Sequence, residues 1–269
     1  MIFVHFCLEM YHIKYILILF PFFAFAQQSI EITFVKKTEL NVGTLVSIDN
    51  FETTHYLTNN ELFKTEKDNI LFTYSNIQLN YITTVNTFNP LKILVFYRDF
   101  NTVVILDNRL SEMFKIDFNT IQPFKDITHI SIGIDNTIWV FNQTTQQLEN
   151  YDYKARLTRI KAIPIQNEVL DLKSNYNFCW LLTKDYLYNY NYVGSLLYKI
   201  KNSGFTKIVQ TNGNLILQKE NQLFYLTKDS EKFIEFKIPK LLIKQFLVTN
   251  ETLYIYDDEF LHQYRLKIN

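Results

Sequence analysis

The chain has 269 residues, with 27 basic and 27 acidic, so its formal charge is zero and nothing electrostatic favours nucleic acid or an anionic membrane surface. Hydrophobic residues make up 48%, which excludes global disorder. Eighteen tyrosines and 24 phenylalanines favour strands, and with only five glycines and five prolines each of those is informative.

The first element in chain order is an export signal over residues 1–26. "YILILFPFFAFAQQ" is an apolar run that ends in Ala24-Phe25-Ala26, a small-x-small cleavage pattern ahead of Gln27. The preceding "MIFVHFCLEM" lacks a positive charge, whereas a start at Met10 puts Lys14 ahead of the apolar core. The run from Tyr15 to Ala26 is about 12 residues, short of the ~20 that a spanning helix needs, so cleavage is favoured over a membrane anchor. Residues 27–269 then read as one domain with no membrane-spanning segment. That stretch keeps a single cysteine, Cys179, which cannot form an internal disulfide. Its apolar setting, "NFCWLLT", predicts an inert buried thiol.

Next comes "SIEITFVKK" (29–37), which alternates like a strand but has no local partner. Six similar units follow. Each has an apolar alternating strand, a short polar turn and a second strand: "HYLTNNELFKT", "LVFYRDFNTVVIL", "IWVFNQTTQQLENYD", "CWLLTKDYLYNYN", "LILQKENQLFYLT" and "LYIYDDEFLHQYR". An apolar position recurs at Leu62, Val104, Leu148, Leu187, Leu223 and Leu261, a mean spacing of (261 − 62)/5, or roughly 40, the period of a four-stranded propeller blade. An apolar run precedes every pair (43–49, 80–86, 127–133, 168–174, 206–212 and 241–248) and reads as the innermost strand. Another run follows five of them (70–74, 110–118, 156–162, 195–200 and 232–238) and reads as the outer strand. The sixth unit lacks an outer strand, and 29–37 is the strand left over. The prediction is an all-β, six-bladed propeller with four-stranded blades, in which the N-terminal strand at about 29–37 completes the last blade. Such a clasp avoids an open seam with exposed edges.

The prolines after residue 27 (Pro90, Pro123, Pro164 and Pro239) all fall between proposed strands, as residues without a backbone donor should. A membrane barrel fits less well, because its strands need about 9–11 residues and most runs here have 5–7. "LYNYNYVGSLLYKI" (187–200) resembles a loose blade pattern of bacterial six-bladed propellers: Leu, two residues, Tyr, an Asp or Asn, then a Gly turn and an apolar strand. "LENYDYKARLTRIK" (148–161) repeats it without the Gly. The resemblance implies architecture rather than activity. The Asn/Lys/Ile/Phe/Tyr-rich composition and the "FFAFAQQ" ending resemble exported proteins of the Bacteroidota.

Chemistry is sparse. His55, His129 and His262 show no metal-ligand spacing, and Asp257-Asp258-Glu259 reads as a solvated turn. No nucleophile elbow or phosphate cradle is present. Catalytic, cofactor and metal residues are therefore all expected to be none. Trp139 and Trp180 occupy equivalent second-strand positions, which points to packing between blades. The longer connections are Asp49–Thr54, Thr87–Lys92, Asn119–Asp126 and Lys161–Asn167. Candidate interaction-surface residues are Phe124 and Lys125, on a Pro-containing loop, and Tyr186 and Tyr192, near turns. The expectation is a non-catalytic periplasmic scaffold, peripheral to the outer membrane. Its partners would be envelope proteins, as an accessory subunit of an outer-membrane or type 9-like secretion assembly. The alternative is a carbohydrate- or small-ligand-binding propeller, or a lyase or hydrolase that uses the central channel.

Overall fold

The computed structural model describes residues 30–268, apart from 69 and 228–230. The expected signal at 1–26 lies outside the described residues. The strands form six four-stranded antiparallel sheets, the predicted blades. Blade one holds β2 (Thr44–Ile48), β3 (Thr54–Thr58), β4 (Glu61–Thr65) and β5 (Leu71–Tyr74). Blade two holds β6 (Thr84–Asn86), β7 (Ile93–Tyr97), β8 (Thr102–Leu106) and β9 (Glu112–Asp117). Blade three holds β10 (Ile127–Ile132), β11 (Thr137–Asn142), β12 (Gln147–Asp152) and β13 (Leu157–Lys161). Blade four holds β14 (Val169–Ser174), β15 (Phe178–Thr183), β16 (Tyr186–Asn191) and β17 (Leu196–Lys201). Blade five holds β18 (Lys207–Thr211), β19 (Asn214–Lys219), β20 (Gln222–Leu226) and β21 (Ile234–Glu235). Blade six joins β22 (Gln245–Thr249), β23 (Thr252–Tyr256) and β24 (Phe260–Ile268) to β1 (Ile30–Glu39).

The clasp forms as expected. β1 runs antiparallel to β24 from Ile30↔Ile268 to Glu39↔Phe260, with one irregularity between Phe34 and Lys36. One outer strand is shorter than predicted. The run 232–238 pairs only at Ile234–Glu235, and the Phe236 N–H adds one bond to the Leu223 carbonyl. The chain then turns away toward Pro239, which has no N–H to give to a ladder.

Local chemistry sets the turns. Asn59 and Asn60 take left-handed φ values of 51° and 64°, suited to the two-residue hairpin between β3 and β4. Asp49, Asp107 and Asn191 each use a side-chain oxygen to accept two backbone N–H groups of the turn that follows.

The core is divided among the six interfaces between blades. Residues of one strand alternate between two of these cores. Ile138 and Val140 face blade two, while Trp139 and Phe141 face blade four. Trp180 and Leu182 face blade five, while Cys179 and Leu181 face blade three. Both tryptophans therefore pack between blades, as expected, and Cys179 is a buried free thiol whose pKa is pushed up by burial. Because both faces of a blade are covered, both parities of a strand can be apolar. The seam between blades six and one has a small core, built on Val42, Leu45, Ile48 and Tyr256.

Candidate functional site: two unlike faces of one disc

Antiparallel strands sort the connections onto two faces. One face carries the turns that leave the inner strands and the turns that enter the outer strands. The other carries the hairpins between second and third strands and the links from blade to blade. The central channel runs between the faces, lined by the inner strands.

The channel wall is polar, and several of its hydroxyls and amides bond from blade to blade. Thr87 Oγ1 donates to Ser47 Oγ at 2.8 Å, and Asn86 Nδ2 donates to Ser131 Oγ at 3.2 Å. Ser174 Oγ donates to Ser131 Oγ at 2.8 Å, Asn175 Nδ2 to Gln210 Oε1 at 3.4 Å, and the Thr249 hydroxyl to the Ile48 carbonyl. These bonds tie blade to blade. The wall also holds a pair that looks catalytic, Ser47 Oγ and His55 Nδ1 at 3.1 Å. Burial, and secondarily Lys64, lower the His55 pKa to about 4. Its Nε2 is buried with no hydrogen-bond partner, so no carboxylate orients the ring. A base so weak and unsupported is a poor activator of a serine. Among the described residues no group of three or more His, Cys, Asp or Glu is placed to hold a metal. Asp257 accepts from the Glu259 and Phe260 N–H groups and lies 2.7 Å from His262 Nε2, so the acidic run is a turn, as predicted.

At the channel mouth on the first face the chemistry changes. The connections leaving the inner strands of blades one to four present Phe51, Phe88, Leu91, Ile134 and Tyr176 to solvent, with Phe51 79% exposed. The rings of Phe88 and Tyr176 meet edge to face at 5.2 Å. Blades five and six have only Asn212-Gly213 and Asn250-Glu251 at the same place, so the apolar collar is one-sided. Polar anchors hold it. Asn86 Oδ1 accepts the Phe88 N–H, and Asn89 Oδ1 accepts the Leu91 N–H. The buried Lys92 ammonium donates to the carbonyls of Asp135 at 2.6 Å and Gly133 at 3.4 Å, pinning the blade-two loop to the blade-three turn. Burial lowers the Lys92 pKa to about 8. A side chain at Gly133 would come within 2.7 Å of the Thr137 carbonyl oxygen, so the tight turn under Ile134 requires glycine.

The residues expected to form an interaction surface do not come together. Phe124 is 48% exposed on the face of hairpins and links, and Tyr186 begins a strand at that same face. Tyr192 is 52% exposed but sits on the opposite face, in the turn before β17. Tyr186 is also half-covered, with the Lys199 ammonium 3.7 Å from its ring centroid. Lys125 needs correction. It is 3% exposed, and its ammonium donates to Glu149 Oε2 at 2.5 Å. An ammonium that finds a buried carboxylate turns inward, so Lys125 anchors the loop that displays Phe124. The collar residues were not singled out from the sequence, although two of their loops, 49–54 and 87–92, stood out by length.

The face of hairpins and links carries a cleft of about 470 Å³ between blades three and four. It is lined by Thr128, His129, Gln143, Gln146, Gln166, Asn167, Glu168 and Val169.

No family model matches the sequence, and no curated protein matches it. Solved structures do resemble the fold. A streptogramin B lyase is 12% identical, with a TM-score of 0.61 over 90% of this chain and 88% of that one. A virginiamycin B lyase from Staphylococcus aureus is 12% identical, with a TM-score of 0.62 over 88% of this chain and 100% of that one. A chain of the mitotic checkpoint complex is 10% identical, with a TM-score of 0.54 over 87% of this chain and 94% of that one. At such identities the likeness shows a propeller fold, whose six blades are those of the sheet topology, and leaves each neighbour's activity with that neighbour.

Proposed function

We propose that this protein is a non-catalytic scaffold that docks an envelope protein on its apolar collar. The observation that carries the reading is the contrast at one channel mouth. Phe51, Phe88, Leu91, Ile134 and Tyr176 are exposed there, and the buried Lys92 pins the loop of Phe88 and Leu91 to the turn of Ile134. Rigid aromatic and aliphatic groups of this kind anchor protein interfaces at low entropic cost. The channel behind them spends its hydroxyls on inter-blade bonds. The Ser47–His55 pair has a base that burial holds far below its usual pKa, a poor activator near neutral pH.

The address is part of the proposal. The signal-like segment at 1–26 and the single cysteine after it, the buried Cys179, support export to a bacterial periplasm, in a Bacteroidota-like organism. Among the described residues no helix is long and apolar enough to cross a membrane. The partner is then an outer-membrane or secretion assembly of which this chain is an accessory subunit.

The test is affinity purification of the tagged full-length protein from detergent-solubilised envelopes, beside the Phe88→Asp/Leu91→Asp variant. Recovery of a defined envelope protein with the wild type, and its loss from a variant of unchanged thermal midpoint, is the expected result. A protein that emerges alone and monomeric, or a partner indifferent to the two substitutions, overturns the reading.

A further inference from the structure

We propose that the cleft between blades three and four is a binding site for a neutral polyhydroxylated ligand, a sugar or short oligosaccharide. It lies on the face opposite the collar and does not depend on it. Its volume of about 470 Å³ falls within the ~300–1,000 Å³ usual for small-ligand sites.

Its walls are pre-set by backbone and side-chain bonds. The Gln143 N–H donates to the Asp126 carbonyl at 2.7 Å, and the Ile165 N–H to the Gln146 carbonyl at 2.7 Å. The Lys184 N–H donates to the Glu168 carbonyl at 2.9 Å. Gln146 Nε2 donates to the Gln143 carbonyl at 3.0 Å, and Asn167 Nδ2 to Asp185 Oδ2 at 2.5 Å. The hairpin wall and the link wall are therefore each fixed before any ligand arrives. Gln143, Gln166 and Glu168 are exposed and, among the described residues, their side chains make no hydrogen bond within the protein, so two carboxamides and a carboxylate can exchange water for a guest.

The lining chemistry selects the guest. Four carboxamides, a threonine and an imidazole each offer a donor, an acceptor or both, as do the hydroxyls of a sugar. Glu168 is the single carboxylate, and no lysine or arginine lines the cleft. An anionic guest would therefore lack a counter-charge. Arg98 and Lys173, which influence His129 from outside, are paired with Asp126 at 2.7 Å and Asp171 at 3.3 Å. An apolar guest would strip water from the carboxamides without replacing their bonds, which is costly. His129 Nδ1 lies 3.0 Å from Thr128 Oγ1, and burial lowers its pKa, so the ring enters the cleft wall neutral.

The experiment is calorimetric titration of the full chain with maltohexaose, cellohexaose, mannohexaose and chitohexaose, beside hexagalacturonate and hexa-alanine. Saturable binding of at least one neutral oligosaccharide is expected. The Gln143→Ala/Gln166→Ala variant should weaken it about tenfold or more, the order expected for losing two hydrogen bonds. The same variant should keep its thermal midpoint, and Phe88→Asp should bind sugar like the wild type. Lack of saturable binding across the neutral panel at millimolar concentration overturns the proposal. So does preference for the acidic oligomer or the peptide, or binding that the double substitution leaves unchanged.

Discussion

The rings of Phe88 and Tyr176 touch edge to face at 5.2 Å although they belong to blades two and four. The contact reaches past blade three and joins the blade-two and blade-four parts of the collar. An aromatic pair of this geometry contributes about 0.5–1.5 kcal/mol beyond area burial. A double-mutant cycle with Phe88→Ala and Tyr176→Ala should return a coupling in that range by chemical denaturation. A coupling near zero would mean that the loops move independently and that the collar is not preorganised.

Lys125 and Glu149 form a buried pair in which both carboxylate oxygens are bonded. Glu149 Oε2 also accepts from Thr158 Oγ1, and Oε1 accepts from Asn142 Nδ2. Burial pushes the Glu149 pKa up, but the hydrogen bonds from Lys125, Asn142 and Thr158 outweigh it and hold the carboxyl below its usual value. Removing one partner strands a buried charge, so Lys125→Met should destabilise by about 3–5 kcal/mol. The Lys125→Met/Glu149→Leu double variant should recover much of that loss. Urea midpoints for the three proteins check both statements.

Two buried bases predict a pH profile. Burial, with Lys64 second, lowers His55 from 6.5 to about 4, so between those values the unfolded chain binds more protons than the folded one. Its contribution is complete above pH 6.5 and is lost as pH falls toward 4. Lys92 is lowered from 10.5 to about 8 by burial, so the unfolded chain again binds more protons between those values. Stability should therefore rise as pH climbs through that window. Thermal midpoints against pH should flatten between pH 4 and 6.5 in His55→Gln, and between pH 8 and 10.5 in Lys92→Met.

The closing seam is the expected weak point. Tyr256 joins blades six and one there, its hydroxyl donating to the Val42 carbonyl at 2.8 Å. Three more bonds cross the seam, from the Val42 N–H to the Tyr256 hydroxyl at 3.4 Å, from the Leu45 N–H to Gln245 Oε1 at 2.7 Å and from the Thr249 hydroxyl to the Ile48 carbonyl. Tyr256→Phe leaves a buried carbonyl unpaired and should cost about 1–3 kcal/mol. Hydrogen exchange should quicken first in blades one and six. Uniform quickening in all six blades would show that the ring opens as a unit instead.

The row Tyr186, Tyr188, Tyr190 and Tyr192 separates what the chain alone determines from what folding decides. Periodicity, turn residues and the recurring apolar position were enough to read six blades, because strand pairing between chain neighbours is local and repeats; the long-range β1–β24 clasp followed by elimination, since the sixth unit lacked an outer strand and 29–37 lacked a local partner. Tyr188 and Tyr190 accordingly lie in the core between blades three and four. Which face a loop residue joins follows from its place in the blade, so the strand order already parts Tyr192 from Phe124. Which distant residue it meets there is not local, and only the closed ring brings Phe88 to Tyr176. Lys125 shows the same limit at the level of one side chain. Only the tertiary structure placed Glu149 beneath it, and that buried carboxylate turned an expected surface lysine into an anchor.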